Sequence, residues 1–170
     1  MTDTSPESTD PSDQSARAIA AAESLGLHVT VTRHGRVRSL EEAAEARGIE
    51  PRALVKTLVV RVRDGDYRFV MVPGDRELSW PKLRALLGVN RVSMPDAATA
   101  KDVTGYERGT ITPLGSTTAW PVVMDTGIDG AISIGGGGHG VGLTVDADAL
   151  ADALGATRAD ISENADISEN

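Results

Sequence analysis

The segment Thr57-Leu-Val-Val-Arg-Val-Arg63, Asp64-Gly-Asp66, Tyr67-Arg-Phe-Val-Met-Val72 commits the middle of the chain to a β-hairpin. Two runs rich in β-branched and aromatic residues flank a turn in which glycine supplies the backbone freedom a tight connection needs. Helical patterns lie on both sides. Ser15 to Leu25 is Ala-rich, sets Ile19, Ala22 and Leu25 on one face and stops at Gly26. Ser39-Leu-Glu-Glu42 is a capping box that opens a short helix to Arg47. Ser79 caps a helix with Pro81 in its first turn, ending at Leu87 before Gly88, and Pro95 to Val103 fits another. Strand patterns occupy 28–32, 121–124, 131–134 and 141–145, and Asp146 caps a last helix to Leu154. Hairpins with interspersed helices predict an α+β domain with a mixed, strongly curved sheet flanked by helices.

A chain of 170 residues holds one well-buried core and is too short for two ordinary domains. Residues 1–13 are acidic and lack a large apolar residue after Met1, so they are expected to be a disordered tail. The other end repeats Ala-Asp-Ile-Ser-Glu-Asn at 159–164 and 165–170, a duplication too short for a structural repeat, and is expected to be a second disordered tail. A single domain is therefore expected over residues 14–158. Cysteine is absent, which excludes disulfides, thiolate metal sites and a cysteine nucleophile. No segment approaches eighteen consecutive apolar residues, and a soluble cytoplasmic protein with no membrane contact is expected.

The formal charge of -8 is concentrated at the two ends. Residues 14–108 hold sixteen basic and twelve acidic side chains, whereas residues 109–156 hold five acids and no Lys or Arg. This distribution permits a phosphate-rich partner on the first part and is equally compatible with a solvated surface.

Two glycine-bearing loops carry the chemistry signal: Gly105-Tyr-Glu-Arg-Gly-Thr-Ile-Thr-Pro-Leu-Gly115 and Ile134-Gly-Gly-Gly-Gly-His-Gly140. Gly135, Gly137 and Gly140 satisfy G-x-G-x-x-G, but a strand pattern follows where a dinucleotide fingerprint needs a helix. Neither loop continues into the Lys-Ser/Thr of a P-loop, and there is no G-x-S-x-G elbow for a serine hydrolase. His28 and His34, six residues apart on one expected strand, stand too far apart to share a metal. A site built on backbone N–H groups, one lysine and water remains, and it suits carbonyl chemistry. Lys56 is the distinctive lysine, because Thr-Leu-Val-Val follows it. A water-facing strand-edge lysine stays open as its other reading, as turn geometry does for each loop.

In Lys56-Thr-Leu-Val-Val, Thr104-Gly-Tyr-Glu-Arg-Gly-Thr-Ile-Thr-Pro-Leu-Gly115, Pro121-Val-Val-Met-Asp125 and the 135–140 loop, the chain resembles the YbaK family of aminoacyl-tRNA deacylases. These are relatives of the editing insertion domain of bacterial prolyl-tRNA synthetases. The likeness runs from about residue 17 to residue 161. It implies a barrel-like α+β fold and hydrolytic removal of a wrongly attached amino acid, such as Cys or Ala, from tRNA for proline. It also implies tRNA and prolyl-tRNA synthetase as partners, with no cofactor and no metal. Carried over by position, Lys56 is the catalytic residue, beside Thr57. Gly109, Thr110 and Pro113 shape the amino-acid pocket, and Gly135, Gly136 and Gly137 supply N–H donors. His139 is open between a substrate contact and a solvated loop histidine. Many family members have a second glycine where this chain has Thr110, and some have a serine where it has Gly135. The alternative in another class is a non-catalytic binding module for an aminoacyl-tRNA end or a synthetase.

Overall fold

The computed structural model describes residues 13–165. Its elements are α1 (Ser15–Ser24), β1 (Thr30–Arg33), α2 (Leu40–Ala46), β2 (Lys56–Arg63), β3 (Asp66–Val72), β4 (Arg76–Leu78), α3 (Trp80–Leu87) and α4 (Ala97–Thr104). They continue with β5 (Val122–Asp125), β6 (Ala131–Gly135), β7 (Val141–Asp146), α5 (Ala147–Leu154), β8 (Thr157–Ala159) and β9 (Ser162–Asn164).

The hairpin forms as expected, with Lys56 opposite Val72 and Val60 opposite Arg68. β3 also pairs in parallel with β5, and β5 with β8, giving a mixed sheet in the order β2-β3-β5-β8. A second, antiparallel sheet runs β1-β7-β6, and β4 pairs with β9 alone. The two larger sheets meet where the Val55 N–H donates to the Ser133 carbonyl at 2.8 Å. The architecture is the expected α+β mixture, but the described sheets do not close into a barrel.

The continuous Val-rich runs are explained by burial on both faces. Successive side chains of a strand point to opposite sides. Phe69 and Met71 of β3, with Val122 and Met124 of β5, enter the main core together with Ile132, Leu143 and Leu150. Val70, Val72 and Val123 point the other way, into a second core closed by Leu83 of α3 and by Ile161. Full burial of one such side chain contributes about 1.5–3 kcal/mol. Local capping chemistry sets the helix ends. Ser39, Ser79, Asp96 and Asp146 each accept from the N–H three residues ahead, and Gly88, Gly105 and Gly155 end their helices in the left-handed conformation.

Four expectations need correction. Leu25 lies 45% exposed, and α1 buries Ser15, Ala18 and Ala22 instead, because the small residues let the helix sit close to the core. His28 precedes β1 and His34 follows it, so the two histidines do not share a strand.

The expected C-terminal tail from 159 is folded up to Asn164. Ile161 is fully buried, its N–H donates to Asp125 Oδ1 at 3.0 Å, and β9 pairs with β4. One isoleucine anchors the segment because a buried carboxylate and a strand edge receive its backbone. Residues 166–170, the rest of the second copy, lie outside the described residues, as do residues 1–12 of the expected acidic tail.

Asp13 belongs to the folded domain. It accepts from the Ser15 N–H at 2.8 Å and pairs with Arg33 at 3.8 Å.

Candidate functional site

A cavity of about 350 Å³ opens between the start of β2, the end of β6 and the loop after α4. Lys56, Thr57, Gly109 and Gly135, four residues singled out in the sequence, line it together with Arg47 and Arg108. Its size falls in the range of small-ligand pockets. Three cationic side chains and no carboxylate line it among the described residues, so its field favours an anionic ligand.

Lys56 opens β2, and its ammonium donates to the Arg76 carbonyl at the head of β4. Burial pushes its pKa below the ordinary lysine value, an effect that Glu77 and Asp75 partly oppose. The next residue, Thr57, holds a buried hydroxyl without a hydrogen-bond partner. Such a group is costly to leave unsatisfied, and a ligand in the cavity is a natural partner for it.

The three consecutive glycines play different parts. The Gly136 N–H donates to the Val141 carbonyl at 3.0 Å, and the Gly137 N–H donates to the Thr110 carbonyl at 3.0 Å. Both donors are therefore consumed by the fold, which corrects the expectation that all three would serve a substrate. Gly135 stands opposite Gly142, one residue before the bonded pair at Gly136 and Val141. By strand alternation its N–H and C=O point away from β7, the side on which the Ser133 carbonyl meets Val55. Gly135 is therefore the member of the triplet whose N–H is turned away from β7, and it is also the one that lines the cavity.

The other predicted residues are less directly involved. Thr110 is buried and donates its hydroxyl to the Glu107 carbonyl at 2.7 Å, closing a turn. Pro113 is buried, and neither it nor Thr110 lines the cavity. His139 is exposed; its ring stands beside Gly109, whose missing Cβ would lie 3.9 Å from His139 Cε1.

The loop from Gly105 to Gly115 is held by residues that its glycines do not announce. Tyr106 is fully buried, and Arg17 of α1 stacks 4.6 Å above its ring. The Arg17 guanidinium donates to the Gly115 carbonyl at 2.7 Å and the Gly105 carbonyl at 3.0 Å, bracketing the loop at both ends. Sequence reasoning missed Arg17 and Arg47, since each is one arginine among fourteen and no local pattern marks either. Lys82 of α3 is tied to Asp160 at 3.0 Å and the Ser162 carbonyl at 2.8 Å. No group of three or more His, Cys, Asp or Glu that could hold a metal ion occurs among the described residues, and no described helix is long and apolar enough to cross a membrane.

The α+β scaffold thus holds a small-ligand-sized cavity lined by three cationic side chains and two glycines. Residues 34–153 match the model of the aminoacyl-tRNA editing domain, and the chain belongs to that family. It is 38% identical over 92 residues to a proline–tRNA ligase of Thermosipho melanesiensis, a match covering 54% of this chain and 16% of the ligase. A proline–tRNA ligase of Maridesulfovibrio salexigens is 42% identical over 77 residues, covering 45% of this chain and 13% of the ligase. The chain thus spans a small fraction of these relatives. Among solved structures, a candidate trans-editing enzyme for prolyl tRNA synthetase superimposes with a TM-score of 0.81 at 26% identity, covering 92% of this chain and 100% of the other.

Proposed function

We propose that this protein hydrolyses mischarged aminoacyl-tRNA in trans, with a small amino acid such as Cys or Ala on tRNA for proline as substrate. The observation that supports it most is the cavity that Lys56, Arg47 and Arg108 line together with Gly135, whose N–H is turned away from β7. In this reading the ester carbonyl accepts from Gly135, and Lys56 steadies the ester end or the terminal adenosine. A water oxygen adds to the carbonyl carbon. The resulting oxyanion is stabilised by the fixed N–H and the nearby positive charge, interactions that strengthen as charge develops.

Collapse of the tetrahedral species breaks the bond to the ribose oxygen. One proton of the water ends on that oxygen, the other passes to solvent, and the amino acid leaves as a carboxylate. No cofactor or metal enters this scheme. The Thr57 hydroxyl gains a hydrogen-bond partner when substrate binds, and Gly109 leaves room at the rim beside His139. Transient contact with prolyl-tRNA synthetase in the cytoplasm would supply the choice of tRNA.

The test is a panel of purified aminoacyl-tRNAs, with tRNA for proline charged with alanine, cysteine, serine or proline. Release of a mismatched amino acid above the spontaneous rate, with Pro-tRNA spared, is the expected result. RNA binding without release would identify the non-catalytic binding module instead.

A further inference from the structure

Arg47 is the C-cap of α2 and lies against the backbone of β7 at Gly142, where a Cβ would come within 2.8 Å of its Cζ and Nε. Only a residue without a side chain leaves room for the guanidinium there. The Nε–H donates to His34 Nε2 at 3.2 Å, and Nη1 donates to Ser133 Oγ at 3.1 Å. His34 Nδ1 stands 2.8 Å from the Gly35 carbonyl, so Nδ1 carries the proton and Nε2 is free to accept from Arg47. Neither partner of Arg47 is a carboxylate, and it forms no ion pair among the described residues.

A partly buried guanidinium without a counter-charge is an expensive arrangement, and burial lowers its pKa. Two hydrogen bonds fix its plane while one face of the side chain lines the cavity that holds Lys56 and Gly135. With Nε and Nη1 so engaged, Nη2 is left as a charged donor held in a fixed direction, ready for an oxygen of a phosphate or carboxylate.

We propose that Arg47 grips a phosphate oxygen of the RNA strand whose aminoacyl end enters the cavity, with His34 and Ser133 as its positioning residues. This rests on the hydrolase reading for the identity of the RNA. A phosphate is favoured over an acidic aminoacyl side chain because three cations line the cavity without a carboxylate. An RNA end brings a phosphate at every linkage, whereas only Asp and Glu would bring a carboxylate.

The experiment uses the full chain and a fluorescent, uncharged RNA hairpin ending in CCA, with binding measured over a salt series. Arg47→Gln is expected to weaken binding at least tenfold and to make the salt dependence shallower by about one counterion. In deacylation assays it should raise KM while kcat stays within about twofold. His34→Ala should give a smaller loss of binding, and His34→Gln should restore part of it, because its amide oxygen can accept from Arg47. Arg47→Met keeps a long apolar stem against Gly142 and carries the test should Arg47→Gln fail to fold.

Parent affinity and parent salt slope in a folded Arg47 variant would overturn the proposal. A KM effect confined to acidic aminoacyl groups would also overturn it, in favour of a carboxylate. The two readings fail separately. Arg47-dependent RNA binding by a parent that releases no amino acid sinks the hydrolase and keeps this site. Parent deacylation with unchanged RNA binding in the Arg47 variants does the reverse.

Discussion

Tyr106 donates its phenol to the carbonyl of Leu114 at 2.5 Å, so the loop after α4 is tied across its own interior by a fully buried side chain. Burial also raises the Tyr106 pKa, which keeps the hydroxyl protonated as a donor. The loop it ties together carries Gly109, which lines the cavity.

Tyr106→Phe removes the donor and leaves a buried carbonyl unpaired. The expected cost is about 1–3 kcal/mol of stability, read as a lower midpoint in urea unfolding. Because Gly109 depends on the loop, substrate KM should rise as well. An unchanged midpoint would show that water or a rearranged loop satisfies the Leu114 carbonyl.

Lys56→Met should abolish most deacylation while the fold persists, whereas Lys101→Ala, on an exposed residue that lines no part of the cavity, should match the parent rate. The Lys56 pKa lies below the ordinary 10.5. If the ammonium serves the reaction, the rate above the spontaneous background should fall on the alkaline side with a midpoint below that value. The sign for stability follows from the same shift. The folded chain binds the Lys56 proton more weakly than the unfolded chain, so its burial cost is full below the folded pKa and fades as pH rises toward 10.5. A melting-temperature series against pH should show any gain of Lys56→Met over the parent shrinking across that window.

Gly135→Ala and Gly136→Ala should separate chemistry from folding. A Cβ at Gly136 would stand 2.7 Å from Val141 Cγ1, inside the hairpin, so that variant should lose stability and keep most of its rate per folded molecule. A Cβ at Gly135 would stand 2.9 Å from the Ile111 carbonyl on the cavity wall. Displacing that wall moves the N–H donor, and a loss of about a hundredfold or more in kcat is expected. Equal kinetic losses in the two variants, measured per folded molecule, would reject this division.

Chains ending after Arg158 and after Ala165 should differ sharply. The shorter one loses Ile161 from the second core, the β4 to β9 pairing and the Lys82 contacts. Loss of the isoleucine alone should cost about 2–5 kcal/mol. The longer chain should melt with the parent in calorimetry.

What local chemistry controls could be read from the order of residues. The Val-rich hairpin, the caps at Ser39, Ser79 and Asp146 and the stop at Gly88 form where the sequence predicts them, because each depends on residues no more than a few positions apart. Lys56, Thr57, Gly109 and Gly135 were also legible as a set, though only through a resemblance that fixes their order along the chain. The rest was decided by contacts far apart in sequence. Ile161 looks like a residue of a polar tail until Asp125, 36 positions earlier, receives its backbone. The N–H groups of Gly135, Gly136 and Gly137 are identical in sequence; the β6 to β7 register turns the first away from β7 and spends the second on Val141, and the loop after α4 takes the third through the Thr110 carbonyl. Arg47 gains its meaning from Ser133, 86 positions away, and from the gap at Gly142. Backbone propensities act over a few residues, whereas burial and hydrogen-bond partnership are properties of the packed chain, and only tertiary structure assigns them.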